Sequence, residues 1–232
     1  MFKTIVYHLI GDPGKELNYQ QNRMFVSFKN FEAHISTLQQ SGYRFITLDE
    51  AEKQLEGKMP SLGNEILITF DDGYSNTLDV ALPILEKYNV HAAMSVCGSY
   101  IYPETRENIH MHADKNFASA QQIKKWIEKG NYILAHTYSH FKLTHLTENE
   151  YRNEIEKDFF VLQNEFGKVP NGIAYPFGSI NNDVISIVKQ YYLYGFATDM
   201  GAVASWENRY RIKRICAESD CTVTELLTLL ED

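Results

Sequence analysis

The chain has 232 residues, 44% of them hydrophobic, and a formal net charge of −8 from 22 basic and 30 acidic side chains. That length and composition permit one sizeable core and exclude a disordered or low-complexity chain. The negative balance and the scattering of Lys and Arg exclude a nucleic-acid binder, which needs a clustered basic surface.

Residues Met1 to Ile10 are apolar, but Gly11-Asp12-Pro13-Gly14 breaks the run too early for a signal-peptide core, and no small-residue cleavage site follows. The segment is predicted as a first strand, Lys3 to Leu9, and the chain as cytoplasmic, without a leader. Charges or turn residues interrupt every later apolar run, so no membrane span is predicted. Further strands are predicted at Glu65 to Phe70, His91 to Val96, Tyr132 to Ala135, Gly172 to Tyr175, Leu193 to Thr198 and Arg211 to Ile215. Ser27 is placed to cap a helix running to Gln40 and stopped at Gly42, and Ser119 one ending at Gly130. Thr147-Glu148-Asn149-Glu150 is a capping box for a long helix reaching Phe166, and Thr222-Val223-Thr224-Glu225 opens the last helix. Strands and helices alternate with no repeat or linker, which predicts one α/β domain over residues 1–232. The strand count suggests an incomplete or distorted β/α barrel, with its chemistry on loops at the C-terminal ends of the strands. Cys97, Cys216 and Cys221 are an odd number without metal-site spacing, and read as reduced thiols.

Three segments carry chemistry. Asp71-Asp72-Gly73 follows the apolar strand 65–70, and adjacent residues at a strand end point in different directions. One carboxylate there is free to bind a metal while its neighbour faces a metal-bound water; the alternative is a plain turn with solvated acids. His136 and His140 follow the strand 132–135, and histidines four apart share a face if the segment turns helically. With Asp72 they make a two-histidine, one-carboxylate set that leaves positions open for water and substrate; a chance pair is the alternative. Tyr175-Pro176-Phe177-Gly178 ends another strand, and such a turn presents a backbone N–H and an apolar wall to a sugar, or is only a rigid turn.

Taken in order, Val6-Tyr7-His8, Phe31 to Leu48, Thr69-Phe70-Asp71-Asp72-Gly73-Tyr74, Ala81-Leu82-Pro83-Ile84-Leu85 and His136 to His140 resemble the polysaccharide deacetylase superfamily. This is the fourth carbohydrate esterase family, related to the nodulation chitooligosaccharide deacetylases. The resemblance implies a distorted (β/α)₇ barrel and hydrolysis of an acetamide, or less often an acetyl ester, by a metal-activated water. It makes Asp72, His136 and His140 the ligands of a divalent metal, zinc or else cobalt, nickel or iron, and Asp71 the general base. Tyr175, Pro176, Phe177 and Gly178 line the substrate, with the Phe177 N–H facing the oxyanion. The implied partner is an N-acetylated saccharide.

Two features depart from the common family pattern. A late Leu-x-x-His motif, which supplies the general acid, is absent, and Ala174 stands where most members have an arginine that orients the base. A branch that includes the poly-N-acetylglucosamine deacetylases uses a histidine in a first-strand Tyr-His motif as acid. Tyr7-His8 matches it and nominates His8; the alternative is a core histidine. Arg214 is a candidate to replace the missing arginine beside Asp71, against a merely structural ion pair. His110-Met111-His112 is read as a solvated loop, His145 as peripheral, and His34 and His91 as structural. Asp199 and Trp206 are weak candidates to line the site. The favoured function is de-N-acetylation of an N-acetylglucosamine-type glycan or its precursor. The alternatives are a deacetylase of acetyl esters or of non-sugar amides or imides, and a non-catalytic glycan-binding relative.

Overall fold

In the computed structural model, which describes residues 2–13, 18–106, 112, 114–167, 170–198 and 207–231, parallel strands curl around a common axis. The strands are β1 (Lys3–Tyr7), β2 (Leu9–Ile10), β3 (Phe25–Val26), β4 (Arg44–Phe45), β5 (Glu65–Phe70), β6 (Ala92–Val96), β7 (Tyr132–Ala135), β8 (Gly172–Ala174), β9 (Tyr194–Phe196) and β10 (Ile215–Cys216). The helices are α1 (Tyr19–Arg23), α2 (Phe28–Gln40), α3 (Leu48–Leu55), α4 (Leu82–Lys87), α5 (Ala120–Glu128), α6 (Glu148–Phe166), α7 (Asn182–Val188) and α8 (Val223–Glu231).

The main sheet runs β10-β1-β5-β6-β7-β8-β9, with β4 added at the start of β5. It closes at a single residue. Ile212 donates to Gly195 O at 2.9 Å and accepts from Ala197 N at 2.7 Å beside β9, and three residues later Ile215 pairs with Ile5 of β1. The result is a distorted seven-stranded barrel. The register aligns the strand ends: Tyr7 with Phe70, Val96 with Ala135, and Ala174 with Phe196.

Period-two geometry sorts the side chains. Leu67, Ala93, Leu134, Ala174, Phe196 and Ile212 form an apolar plug inside the barrel, while Ile66, Ile68 and Phe70 pack outward among the helices. One pleat beyond the plug lie Thr69, Ser95, His136 and Arg214, all buried, so the interior turns polar toward the C-terminal mouth.

The predicted caps form: Ser27 accepts from Asn30 N at 3.2 Å, and Thr147 N donates to Glu150 Oε2 at 2.8 Å. The ends of the chain differ from expectation. β1 stops at Tyr7, freeing His8 from the ladder, and the strand predicted at Arg211 to Ile215 becomes the Ile212 bridge plus β10. Helices α1, α3, α4 and α7 were not predicted; three are short, and α3 is announced by a Thr47–Glu50 capping box. Among the described residues no helix is long and apolar enough to cross a membrane, and all three cysteines are free.

Candidate active site and metal centre

The mouth of the barrel is built from loops that leave the strand ends through left-handed backbone. Asp72, Thr137, His140 and Phe177 have φ of 71°, 63°, 60° and 58°. Such conformations cost about 1–3 kcal/mol each outside glycine and collect where a fold must aim particular side chains. They aim Asp72, His136 and His140 at one point, where their ligand atoms lie within 4.8 Å of one another. Asp72 Oδ1 stands 3.3 Å from His136 Nε2 and 3.0 Å from His140 Nε2. The histidine pair does not share a helical face, as its spacing suggests. Residues 136–140 are an irregular loop in which two positive-φ residues turn the rings together.

The loop is held from behind. His136 Nδ1 lies 2.8 Å from Ala174 O, which as an acceptor fixes the proton on Nδ1 and leaves the Nε2 lone pair facing inward. Ser139 N donates to Glu154 Oε2 at 2.7 Å, and Gly98 N to Asp158 Oδ1 at 2.8 Å, both acceptors lying on α6. Burial pushes the Asp158 carboxyl up to about 8 despite that hydrogen bond. Burial also pushes His140 down to about 4, against the pull of Asp72, so the ring is neutral as ligation requires. The Asp72 carboxyl is held well below the usual range, because His140 and His112 outweigh the effect of burial.

Asp71, beside Asp72, faces a different partner. Arg214, wholly buried, donates from Nη1 to Oδ1 at 2.7 Å and from Nη2 to Oδ2 at 2.6 Å, a two-pronged pair. Its Nε donates to Ala197 O at 3.1 Å, which locks the fork. Ser95 Oγ donates to Asp71 Oδ1 at 2.7 Å. Burial alone would raise the Asp71 carboxyl, but the charge of Arg214, then that of His136, holds it far below the ordinary range. Ser95 was not foreseen. Its signal was a lone hydroxyl in an apolar strand, on the inward pleat two residues beyond Ala93.

His8 follows Tyr7, which is level with Phe70, and Asp71 N donates to Tyr7 O at 2.9 Å, so His8 and Asp71 leave adjacent strands at one height. Its Nδ1 is buried without a hydrogen-bond partner. Of the turn after β8, Tyr175 and Pro176 are buried. The Tyr175 hydroxyl donates to Tyr210 O at 3.1 Å and lies where a side chain at Gly195 would stand, so that ring packs outward between sheet and helices and does not line the mouth. Phe177 is 48% exposed, with its ring centroid 4.8 Å from that of His140, and it and Gly178 carry the turn across the mouth.

His112 is not a solvated loop residue: it is 4% exposed, and its Nδ1 is 3.4 Å from Asp72 Oδ2. Hydrophilic neighbours in the sequence concealed an anchor that buries only one ring. His110, Asp199 and Trp206 lie outside the described residues. His145 is exposed, and His34 is buried at 3.1 Å from the Tyr7 hydroxyl.

The family model described as polysaccharide deacetylase matches residues 58–195. The Bacillus subtilis protein YxkH, named as a polysaccharide deacetylase, is 31% identical over 196 residues, covering 84% of this chain and 66% of its own length. The poly-β-1,6-N-acetyl-D-glucosamine N-deacetylase of Staphylococcus aureus is 29% identical over 200 residues, covering 84% of this chain and 68% of that protein. The chain therefore spans about two thirds of the length of these curated relatives. In fold it is similar to the Streptococcus pyogenes deacetylase PplD, solved in complex with acetate, with a TM-score of 0.84 at 24% identity over 100% of this chain and 98% of that one. The chain belongs to the polysaccharide deacetylase family.

Proposed function

We propose that the protein is a metal-dependent hydrolase that removes N-acetyl groups from an N-acetylglucosamine-type glycan or glycan precursor. The observation that carries this reading is the convergence of Asp72, His136 and His140 within 4.8 Å, beside an Asp71 clamped by Arg214. Family membership and the named activity of the S. aureus relative point the same way.

The donor set suits a divalent ion. Two imidazoles and one carboxylate are a zinc-type set, buried beneath the exposed Phe177, whose ring packs on His140. A bound zinc would polarise the acetyl carbonyl and acidify a water. Asp71 receives the proton of the attacking water. A carboxylate held this low is a weak base, so its contribution is to be always ionised and fixed in aim, Arg214 and Ser95 having already taken the lone pairs that would let it swing. His8, whose unpartnered Nδ1 lies at the strand end beside Asp71, delivers a proton to the leaving amine. The Phe177 N–H donates to the charge developing on the acetyl oxygen, and its exposed ring packs against the sugar face. Two departures favour a non-catalytic relative, the missing late histidine and the missing arginine at Ala174; Arg214, just before β10, stands in for the arginine and His8 for the histidine in this reading.

The test is acetate release from β-1,4- and β-1,6-linked N-acetylglucosamine oligomers by zinc-loaded protein, against acetylated xylan and small imides as controls. The expected result is release from the N-acetylglucosamine oligomers, abolished by a chelator and restored by zinc. No acetate from any acetylated glycan would overturn the reading, and release from the controls alone would move it to another acyl substrate.

A further inference from the structure

The two oxygens of Asp72 have different surroundings. Oδ1 faces the Nε2 atoms of His136 and His140, whereas Oδ2 lies 3.4 Å from His112 Nδ1, and the Tyr74 hydroxyl also hydrogen-bonds the carboxylate. His112 comes from the segment between β6 and α5, far in sequence from the other site residues, and four groups hold it. The Tyr74 hydroxyl is 2.9 Å from Nδ1 and the Tyr100 hydroxyl 2.9 Å from Nε2. Phe117 packs edge-on at 5.0 Å, and Gln21 Nε2 donates to the His112 carbonyl at 3.2 Å. A neutral imidazole has one N–H and one lone pair. The tautomer in which Tyr100 donates to Nε2 puts the ring proton on Nδ1, toward Tyr74 and Asp72, and it is the one the proposal requires.

We propose that His112 is a positioning residue of the metal centre: it holds Oδ2 of Asp72, so that the carboxylate offers Oδ1 alone to the ion. This rests on the metal-site reading above. The physical reason is that a carboxylate free to rotate alternates between one- and two-oxygen ligation, while a hydrogen bond to its second oxygen selects one and leaves a coordination position for water and substrate. Such outer partners are worth roughly 10- to 100-fold in metal affinity. Tyr100 acts one step further out, by fixing the tautomer.

Zinc dissociation constants, measured by competition with a chromophoric chelator, test this on wild type and three variants. His112→Ala is expected to bind zinc roughly 10- to 100-fold more weakly. His112→Asn, whose amide N–H replaces the Nδ1–H, recovers most of the loss. Tyr100→Phe, which removes only a hydroxyl and keeps the packing, weakens binding less, in the same direction. In the cobalt-substituted protein the visible absorption bands of His112→Ala weaken, because release of Asp72 Oδ2 admits two-oxygen ligation at a higher coordination number while both histidine ligands are kept. Wild-type affinity in His112→Ala and Tyr100→Phe would overturn the proposal, as would a cobalt spectrum reporting the loss of a nitrogen ligand, which would make His112 a ligand itself. Failure of wild type to bind zinc at all would overturn the metal reading first.

Discussion

Strand β5 carries buried carboxylates at both ends, and the two ends are built on opposite terms. At its start, Glu65 accepts from Leu62 N at 2.8 Å, Gly63 N at 2.9 Å and Ser61 Oγ at 2.8 Å, with Arg44 Nη2 and Gln54 Nε2 at 3.5 and 3.4 Å. Every lone pair has a donor, and the positive φ in that loop falls on a glycine, Gly63. At its other end, Asp71 and Asp72 meet histidines and a guanidinium on left-handed loops, and His8 Nδ1, His140 Nδ1 and Asp158 Oδ2 nearby are buried without hydrogen-bond partners. The first end satisfies its carboxylate, although Arg44 Nε and Gln54 Oε1 beside it are buried without partners, and it ties β4 and α3 to the start of β5. The second instead turns the Nε2 atoms of His136 and His140 onto Asp72 Oδ1 at the barrel mouth, a donor set able to take an ion.

Exchanging acid for amide at each end sharpens this contrast. Asp71→Asn has the largest expected effect: kcat/KM for deacetylation falls by about 10⁴. It also leaves the Arg214 charge buried and unpaired, at a cost of about 3–5 kcal/mol. Thermal unfolding of Asp71→Asn with and without Arg214→Met separates the two, since the double variant regains stability and not turnover. His8→Ala lowers kcat by about 10²–10³ with little change in melting temperature; near-normal turnover there would remove His8 from the mechanism. Glu65→Gln does the reverse: turnover per folded molecule is unchanged, while stability falls by about 1–3 kcal/mol.

Acid titration probes the same end more gently. Burial pushes the Glu65 carboxyl up, but the Leu62 N–H, the Ser61 hydroxyl and the Gly63 N–H outweigh it and bring the group from 4.5 down to about 2. A depressed carboxylate stabilises the fold fully above its unfolded value, and that contribution is lost as pH falls from about 4.5 toward about 2. Denaturant midpoints across that range drop more steeply for wild type than for Glu65→Gln. The smallest effect is at Asp158, raised to about 8. Its folded form keeps a proton that the unfolded chain releases, so it costs stability increasingly as pH rises from about 4 to about 8. Asp158→Asn therefore gains in melting temperature relative to wild type between pH 5 and 8, and the gain levels off above.

Much of this was legible in the sequence, for identifiable reasons. The long strands and capped helices announce themselves by period and by Ser or Thr at fixed offsets, and β5 and β7 fall on the predicted residues. Asp72, His136 and His140 share a site because each follows a strand whose end the barrel brings to one mouth. The helical argument for the histidine pair failed, because positive φ at Thr137 and His140 leaves no trace in residue type. Arg214 was nominated from its place near the end of the last predicted strand, whereas Ser95 was readable only by counting pleats inward from Ala93, which presupposes knowing which face is inside. His112 was hidden because its environment, Tyr74, Tyr100, Phe117 and Asp72, is assembled from separate segments.

The segment from Ile212 to Cys216 both closes the ring and brings Arg214 to Asp71, across 143 residues of chain. During synthesis the Asp71 strand emerges long before its cation does. Until the 212–216 segment docks, the barrel would hold a buried carboxylate with no counter-charge, so tight closure of the mouth is disfavoured until that segment is available. Maturation of the mouth is thereby coupled to the docking of this segment. A ribosome-stalled chain ending before Arg214 is expected to remain protease-sensitive there, and one extended through α8 to become resistant.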